Sequence, residues 1–139
     1  MSRNRPKRVN QYRIDNEAFL QAKAGEEGVV VLDNGVIMQK LEEGSGTVHP
    51  RPASLVYVNY TGRLIDGTVF DSSVDRGQPI EFPLNRVIAG WTEGMQLLGI
   101  GGKATLVIPP ELGYGEAGAG GVIPPQATLI FDVELLGIR

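Results

Sequence analysis

Cysteine is absent from this chain, histidine and tryptophan occur once each, and no apolar run approaches the length of a membrane-spanning helix. Without cysteine there is no disulfide, no thiolate nucleophile and no thiolate metal ligand, and the redox compartment is left open. The single imidazole, His49, lies in a polar loop between Gly44 and Pro52. One loop histidine builds neither a nucleophilic triad nor a multi-histidine metal site, and no carboxylate pair at helical spacing supplies two-carboxylate hydrolysis. Any chemistry here proceeds without a nucleophile, and no metal or cofactor is expected. Basic charge is also scarce once the first thirteen residues are passed. Arg3, Arg5, Lys7, Arg8 and Arg13 precede the first acid, so the net charge of −3 leaves the remainder near −8. That balance excludes a nucleic-acid groove in the main part of the chain, because phosphate binding needs clustered basic charge. No membrane association is expected. No signal-peptide pattern is present, so a cytoplasmic location is the expectation, periplasmic if a leader has been trimmed.

What is present is the composition of one globular domain: 139 residues, 42% apolar and 21% charged. Residues 1–14 are polar, basic and aperiodic, and read as a mobile tail. Residues 15–35 read as a helical extension and linker. Asp15 or Asn16 is a candidate N-cap for a two-turn helix through NEAFLQAKA that needs a partner surface, and Gly28 to Leu32 is a short apolar run before the Asn34-Gly35 turn.

From residue 36 to 139 the pattern is mainly strand. Val36 to Glu42 is a strand, and Ser54 to Thr61 alternates with period two. Asp66-Gly67 joins Leu55 to Ile65 with Thr68 to Asp71 as a hairpin. Ile80 and Phe82 alternate before Pro83; Ala104, Leu106 and Ile108 share one face, as do Leu129, Phe131, Val133 and Leu135 within Thr128 to Ile138. The organising stretch is Asn85 to Gly102. Val87, Trp91, Met95 and Leu98 fall on one helical face with Ile88 beside them, and Gly90 and Gly94 inside it imply close packing against another element. A sheet with one apolar face needs a cover, and this helix is the candidate. The expected fold is therefore α+β: an antiparallel sheet wrapped around one short helix, with a short N-terminal helical extension.

Two apparent phosphate motifs fail in context. Gly113, Gly115 and Gly118 fit GxGxxG but lie between Pro109-Pro110 and Pro124-Pro125 with no following helix, and Gly102-Lys103 is followed by Ala104 rather than Ser or Thr. What remains is a set of aromatics on inward faces, namely Tyr60, Phe70, Phe82, Trp91 and Phe131, with Tyr114 at the edge of the Gly-rich loop. Such rings are commonly plain core, yet a buried tyrosine hydroxyl needs a partner; Asp71 follows Phe70, and Arg76 is near enough in sequence to balance its charge. The set can line a small apolar pocket.

VNYTGRLIDGTVFDSS (58–73), RVIAGW (86–91), PPELGYG (109–115) and GVIPPQATLIFDVELL (121–136) together resemble the FKBP family of peptidyl-prolyl cis/trans isomerases. The resemblance covers roughly Val36 to Arg139, and Asn16 to Lys40 is similar to the stretch preceding the catalytic domain in the bacterial macrophage-infectivity-potentiator-like branch, whose long dimerisation helices do not appear in this sequence. It implies a five- to six-stranded antiparallel half-barrel with Trp91 at the pocket floor. It also implies isomerisation of X-Pro bonds, in aid of protein folding, with proline-containing polypeptides as partners and rapamycin-like macrolides as inhibitors. Tyr60, Asp71, Tyr114 and Phe131 are then the catalytic set. Phe70, Arg76, Ile80, Phe82, Val87, Ile88, Trp91, Val122 and Ile123 are the substrate-binding set. Ile80 stands where the family commonly has an aromatic wall residue, Ala119 where it has a loop histidine, and the segment from Phe82 to Val87 is about two residues short. A noncatalytic module holding proline segments through the same pocket is the alternative reading.

Overall fold

The computed structural model describes residues 4–45 and 48–139. In chain order the elements are α1 (Asn4–Ala24), β1 (Val29–Val31), β2 (Ile37–Glu42), β3 (Leu55–Arg63), β4 (Val69–Ser72), α2 (Ser73–Arg76), β5 (Ile80–Pro83), α3 (Ala89–Met95), β6 (Lys103–Ile108) and β7 (Leu129–Ile138), with single 3-10 turns at Leu84–Arg86 and Pro110–Leu112. Among these residues seven strands form one antiparallel sheet in the order β1-β2-β6-β7-β3-β4. The far edge of β3 is shared: β5 pairs with Leu55 to Val58, and β4 with Thr61 to Arg63. The α+β half-barrel expected from the sequence is thus present, with the strand count raised to seven by the short β1. β1 lies ahead of the expected boundary at residue 36 yet belongs to the same sheet through its register with β2.

Period-two patterning decides which side chains meet. Val56, Val58 and Tyr60 of β3, Ala104, Leu106 and Ile108 of β6, and Leu129, Phe131, Val133 and Leu135 of β7 all point inward and are buried. α3 closes this face. It is shorter than the sequence spacing suggests: Val87 and Ile88 are extended, with ψ of 174° and 147°, and the helix begins only at Ala89. Leu98 lies beyond its C-terminus, in a turn where Leu98 N–H donates to the Met95 carbonyl, and is still fully buried. The expected close packing at the two helix glycines is present. A Cβ on Gly90 would stand 2.7 Å from Ile108 Cδ1, and one on Gly94 the same distance from Leu106 Cδ2.

The sheet's other face departs from expectation. Ile37, Val107 and Ile130 are buried there and packed by Phe19 and Leu20 of α1 together with Val29. These residues alternate with the inward set, so both faces of the sheet centre are apolar.

α1 also corrects the reading of the first residues. Met1 to Arg3 lie outside the described residues, but residues 4–14, expected as part of an aperiodic tail, are the first half of a 21-residue helix. The segment holds many good helix formers, and Pro6 falls in the first turn, where a backbone N–H has no intrahelical acceptor in any case. Asn16 consequently is not an N-cap. It sits in the middle of the helix, 1% exposed, with its Nδ2 donating to the Tyr12 carbonyl at 2.7 Å and its Oδ1 accepting from Thr128 N–H at 2.7 Å. One side chain therefore fastens the helix to the start of β7 across 112 positions of sequence.

Asn16→Ala leaves the Thr128 N–H buried without an acceptor, and we expect a loss of about 1–3 kcal/mol in urea unfolding. A change within error would show that the Asn16–Thr128 bond contributes nothing to the stability of the domain.

Candidate functional site

The site is built outward from Tyr60, whose place on β3 puts a large ring into the core and its hydroxyl at the edge of a cleft. β4 runs antiparallel beside it and carries Phe70 and Asp71. The Tyr60 hydroxyl donates to Asp71 Oδ2 at 2.5 Å. Arg76 completes the group: its Nη1 donates to Asp71 Oδ1, its Nη2 donates to the Tyr60 oxygen at 3.1 Å, and its guanidinium lies 5.8 Å from the Tyr60 ring centroid. The single turn of α2 delivers this arginine. Ser72 opens the turn by accepting from Asp75 N–H at 3.1 Å, and Gly77 closes it at φ 74°, in the left-handed region. Ser73, fully buried, accepts from Tyr60 N–H at 2.8 Å and locks α2 to β3.

This arrangement fixes charge. Burial raises the Tyr60 hydroxyl above its ordinary value, and the bond to Asp71 adds to that, so Tyr60 stays a neutral donor. Burial would also raise Asp71, but the hydrogen bonds from Tyr60 and Arg76 and the charge of Arg76 outweigh it and hold the carboxylate below its usual range. Hydrogen bonding to Tyr60 and Asp71 raises Arg76 further still. The three groups form a neutral tyrosine and an ion pair across the neutral pH range.

Trp91, 3% exposed on α3, is the floor. Three rings meet it edge-on: Tyr60 at 5.3 Å and 81°, Phe131 at 5.3 Å and 85°, and Phe82 at 5.8 Å and 83°. Phe70 stands perpendicular to Phe131 at 5.5 Å. T-shaped contacts of this kind pair a ring's positive edge with another's negative face and hold the indole in one orientation. Gly62 makes the Phe70 and Phe131 contact possible. A Cβ there would lie 2.6 Å from both rings, and a glycine inside a strand is the sequence signal that was available for it.

The cleft above Trp91 measures about 340 Å³. Nine of the thirteen residues expected from the sequence line it: Tyr60, Phe70, Asp71, Phe82 and Trp91, with Val87, Ile88, Tyr114 and Phe131. Among the described residues the Ile88 N–H has no hydrogen-bond partner, because the residue precedes the first turn of α3. Tyr114, 41% exposed, stands on the loop after the second 3-10 turn.

Four expected residues do not line the cleft. Arg76 acts behind the wall through Asp71 and Tyr60. Ile80 pairs with Val58 and packs on the core. Ile123 is buried in the core, its carbonyl accepting from Ala119 N–H at 2.9 Å, and this turn leaves Val122 exposed at the loop tip. Sequence proximity to the Gly-rich loop does not reveal such a turn. Arg86, which the sequence reading missed, lines the rim.

Residues 46–136 match the family described as FKBP-type peptidyl-prolyl cis-trans isomerase. The chain is 48% identical over 134 residues to the FKBP-type 22 kDa peptidyl-prolyl cis-trans isomerase of Escherichia coli K12, an overlap covering 96% of this chain and 65% of that protein. It is 47% identical over 133 residues to the macrophage infectivity potentiator of Trypanosoma cruzi, covering 95% of this chain and 68% of that protein. Among solved structures, FkpA from Escherichia coli superposes with a TM-score of 0.90 at 45% identity, over 96% of this chain and 62% of that one. The chain spans from 43% to 65% of the length of the first bacterial relatives it matches.

Gly62→Ala forces the Phe70 and Phe131 rings apart, and we expect it to cost about 1–3 kcal/mol as an overpacking change and to shift Trp91 emission. Emission and stability both unchanged would mean that the rings yield freely and that the cleft wall is not fixed.

Proposed function

The chain belongs to the FKBP-type peptidyl-prolyl cis-trans isomerase family, and on that premise we propose that it accelerates rotation about X-Pro bonds, with the proline ring seated against Trp91. Proline-containing polypeptides are the substrate class of the family. The observation that carries the reading is the coincidence of a ring-lined floor with a backbone donor at its edge, Ile88 N–H, that has no hydrogen-bond partner among the described residues.

Uncatalysed X-Pro rotation takes tens to hundreds of seconds, over a barrier of about 18–20 kcal/mol, because the planar amide is stabilised by resonance. Resonance places opposite partial charges on the carbonyl oxygen and the nitrogen. An apolar cleft stabilises that charge-separated planar form less well than water does, and stabilises the twisted state relatively more. Rotation breaks no bond and needs no nucleophile. In this reading Trp91, Phe82, Val87 and Phe131 hold the pyrrolidine ring, while Ile88 N–H and the Tyr114 hydroxyl hold the substrate backbone through the rotation. Tyr60 and Asp71 form the carbonyl end, and Arg76 fixes their orientation. Each tenfold gain requires about 1.4 kcal/mol of preference for the twisted state.

Assistance to refolding chains and binding of rapamycin-like macrolides belong to the same proposal, since both use the same apolar cleft. Ile80 packs on the core instead of standing in the cleft wall, so the absence of an aromatic ring there leaves the proline seat intact.

A chymotrypsin-coupled assay on a Leu-Pro tetrapeptide should give catalysed isomerisation, and Asp71→Leu should lower kcat/KM by about tenfold, since it strands a partly buried hydroxyl at the carbonyl end. Binding without turnover would identify a noncatalytic proline module instead.

The rate should be nearly independent of pH between 6 and 8. The folded state holds Asp71 below its unfolded value, so its contribution is complete above about pH 4 and fades as pH falls through the lowered value. Tyr60 is raised in the folded state, so its contribution is complete below about pH 10 and fades above it. A bell-shaped profile that vanishes in His49→Ala would establish proton transfer and end the desolvation account.

A further inference from the structure

Two residues lining the cleft carry a formal charge, Asp71 and Arg86. They differ in how that charge is answered. Asp71 is paired with Arg76 and accepts from Tyr60, so it presents little net charge to a ligand. Arg86 has no ion-pair partner among the described residues and is exposed. Its backbone is nevertheless fixed. Arg86 ends the 3-10 turn begun by Leu84, which is fully buried, donates its N–H to the Ser54 carbonyl at 2.9 Å, and accepts from the Thr92 hydroxyl at 2.8 Å. Val87 and Ile88 follow directly and form part of the cleft wall, so the guanidinium stem rises from the rim beside the proline seat.

We propose that Arg86 is a specificity residue that favours polypeptide substrates with an acidic side chain within two positions of the proline. A proline ring on Trp91 occupies the floor, which leaves the flanking residues at the rim where Arg86 stands. Arginine offers five donors in a planar fork suited to a carboxylate, and an unpaired one loses no existing partner on engaging it. The chain as a whole is acidic, with net charge −3, so attraction of an acidic segment cannot come from the overall field and has to come from this local cation. An exposed ion pair gives a modest gain, which salt screens.

The inference rests on the isomerase reading, and its test compares peptides within each variant. Leu-Pro peptides carrying Glu, Gln or Lys, two positions before or one position after the proline, are assayed without a coupling protease, by direct spectroscopic detection of the isomers. For the intact chain the kcat/KM ratio of the Glu peptide to the Gln peptide should be about three to ten in one of the two positions, with the Lys peptide slowest, and the ratio should shrink as ionic strength rises. Arg86→Gln should bring the ratio to about one, Arg86→Glu should invert it, and Arg86→Lys should restore most of it. A ratio near one in the intact chain, or one unchanged in Arg86→Gln, overturns the assignment of Arg86 while leaving the isomerase reading in place. Absence of turnover on every peptide overturns both.

Discussion

Helix α3 can rest on the sheet only because Gly90 and Gly94 carry no Cβ. Any side chain at either position would meet Ile108 or Leu106 at 2.7 Å, well inside van der Waals contact, and the helix would have to rise off β6. Raising it would lift Trp91 away from Tyr60, Phe82 and Phe131, whose rings meet it at 5.3 to 5.8 Å. The floor of the cleft and the orientation of the indole both follow from that close approach. Two glycines in a seven-residue helix cost backbone entropy, roughly 1 kcal/mol each relative to alanine, and the packing they allow offsets it.

The polar side of the cleft is held by a second, independent constraint. Tyr60, Asp71 and Arg76 satisfy one another, and the short α2 that brings Arg76 back is capped by Ser72 and ended by Gly77. Because the carboxylate and the tyrosine are driven away from neutrality in opposite directions, the site keeps one charge state over the range in which proteins work. The desolvation mechanism proposed above needs this constancy. A group changing charge near the amide would alter the local polarity on which the preference for the twisted state depends.

Covering both sheet faces divides the molecule's tasks. The inner face carries the large aromatics and the cleft, whereas the outer cluster of Ile37, Val107 and Ile130 is closed by Phe19 and Leu20 and stiffens the strands from behind. Asn16 joins the two sides by bonding α1 to Thr128, the residue just before β7, the strand carrying Phe131.

Much of this was legible in the linear sequence because period-two alternation and turn residues act locally. The inward sets of β3, β6 and β7, the Asp66-Gly67 and Asn34-Gly35 turns and the packing glycines of α3 are each written in a few adjacent residues. The ordered motifs likewise indicated nine of the residues that line the cleft. The extent of α1, the covered outer face, the burial of Ile123 against the exposure of Val122, and the position of Arg86 at the rim were decided by tertiary packing. Each depends on contacts between segments far apart in sequence. Asn16 shows the reason most clearly: its side chain suits a helix cap as well as a mid-helix anchor, and only the arrival of Thr128 from the other end of the chain selects the anchor.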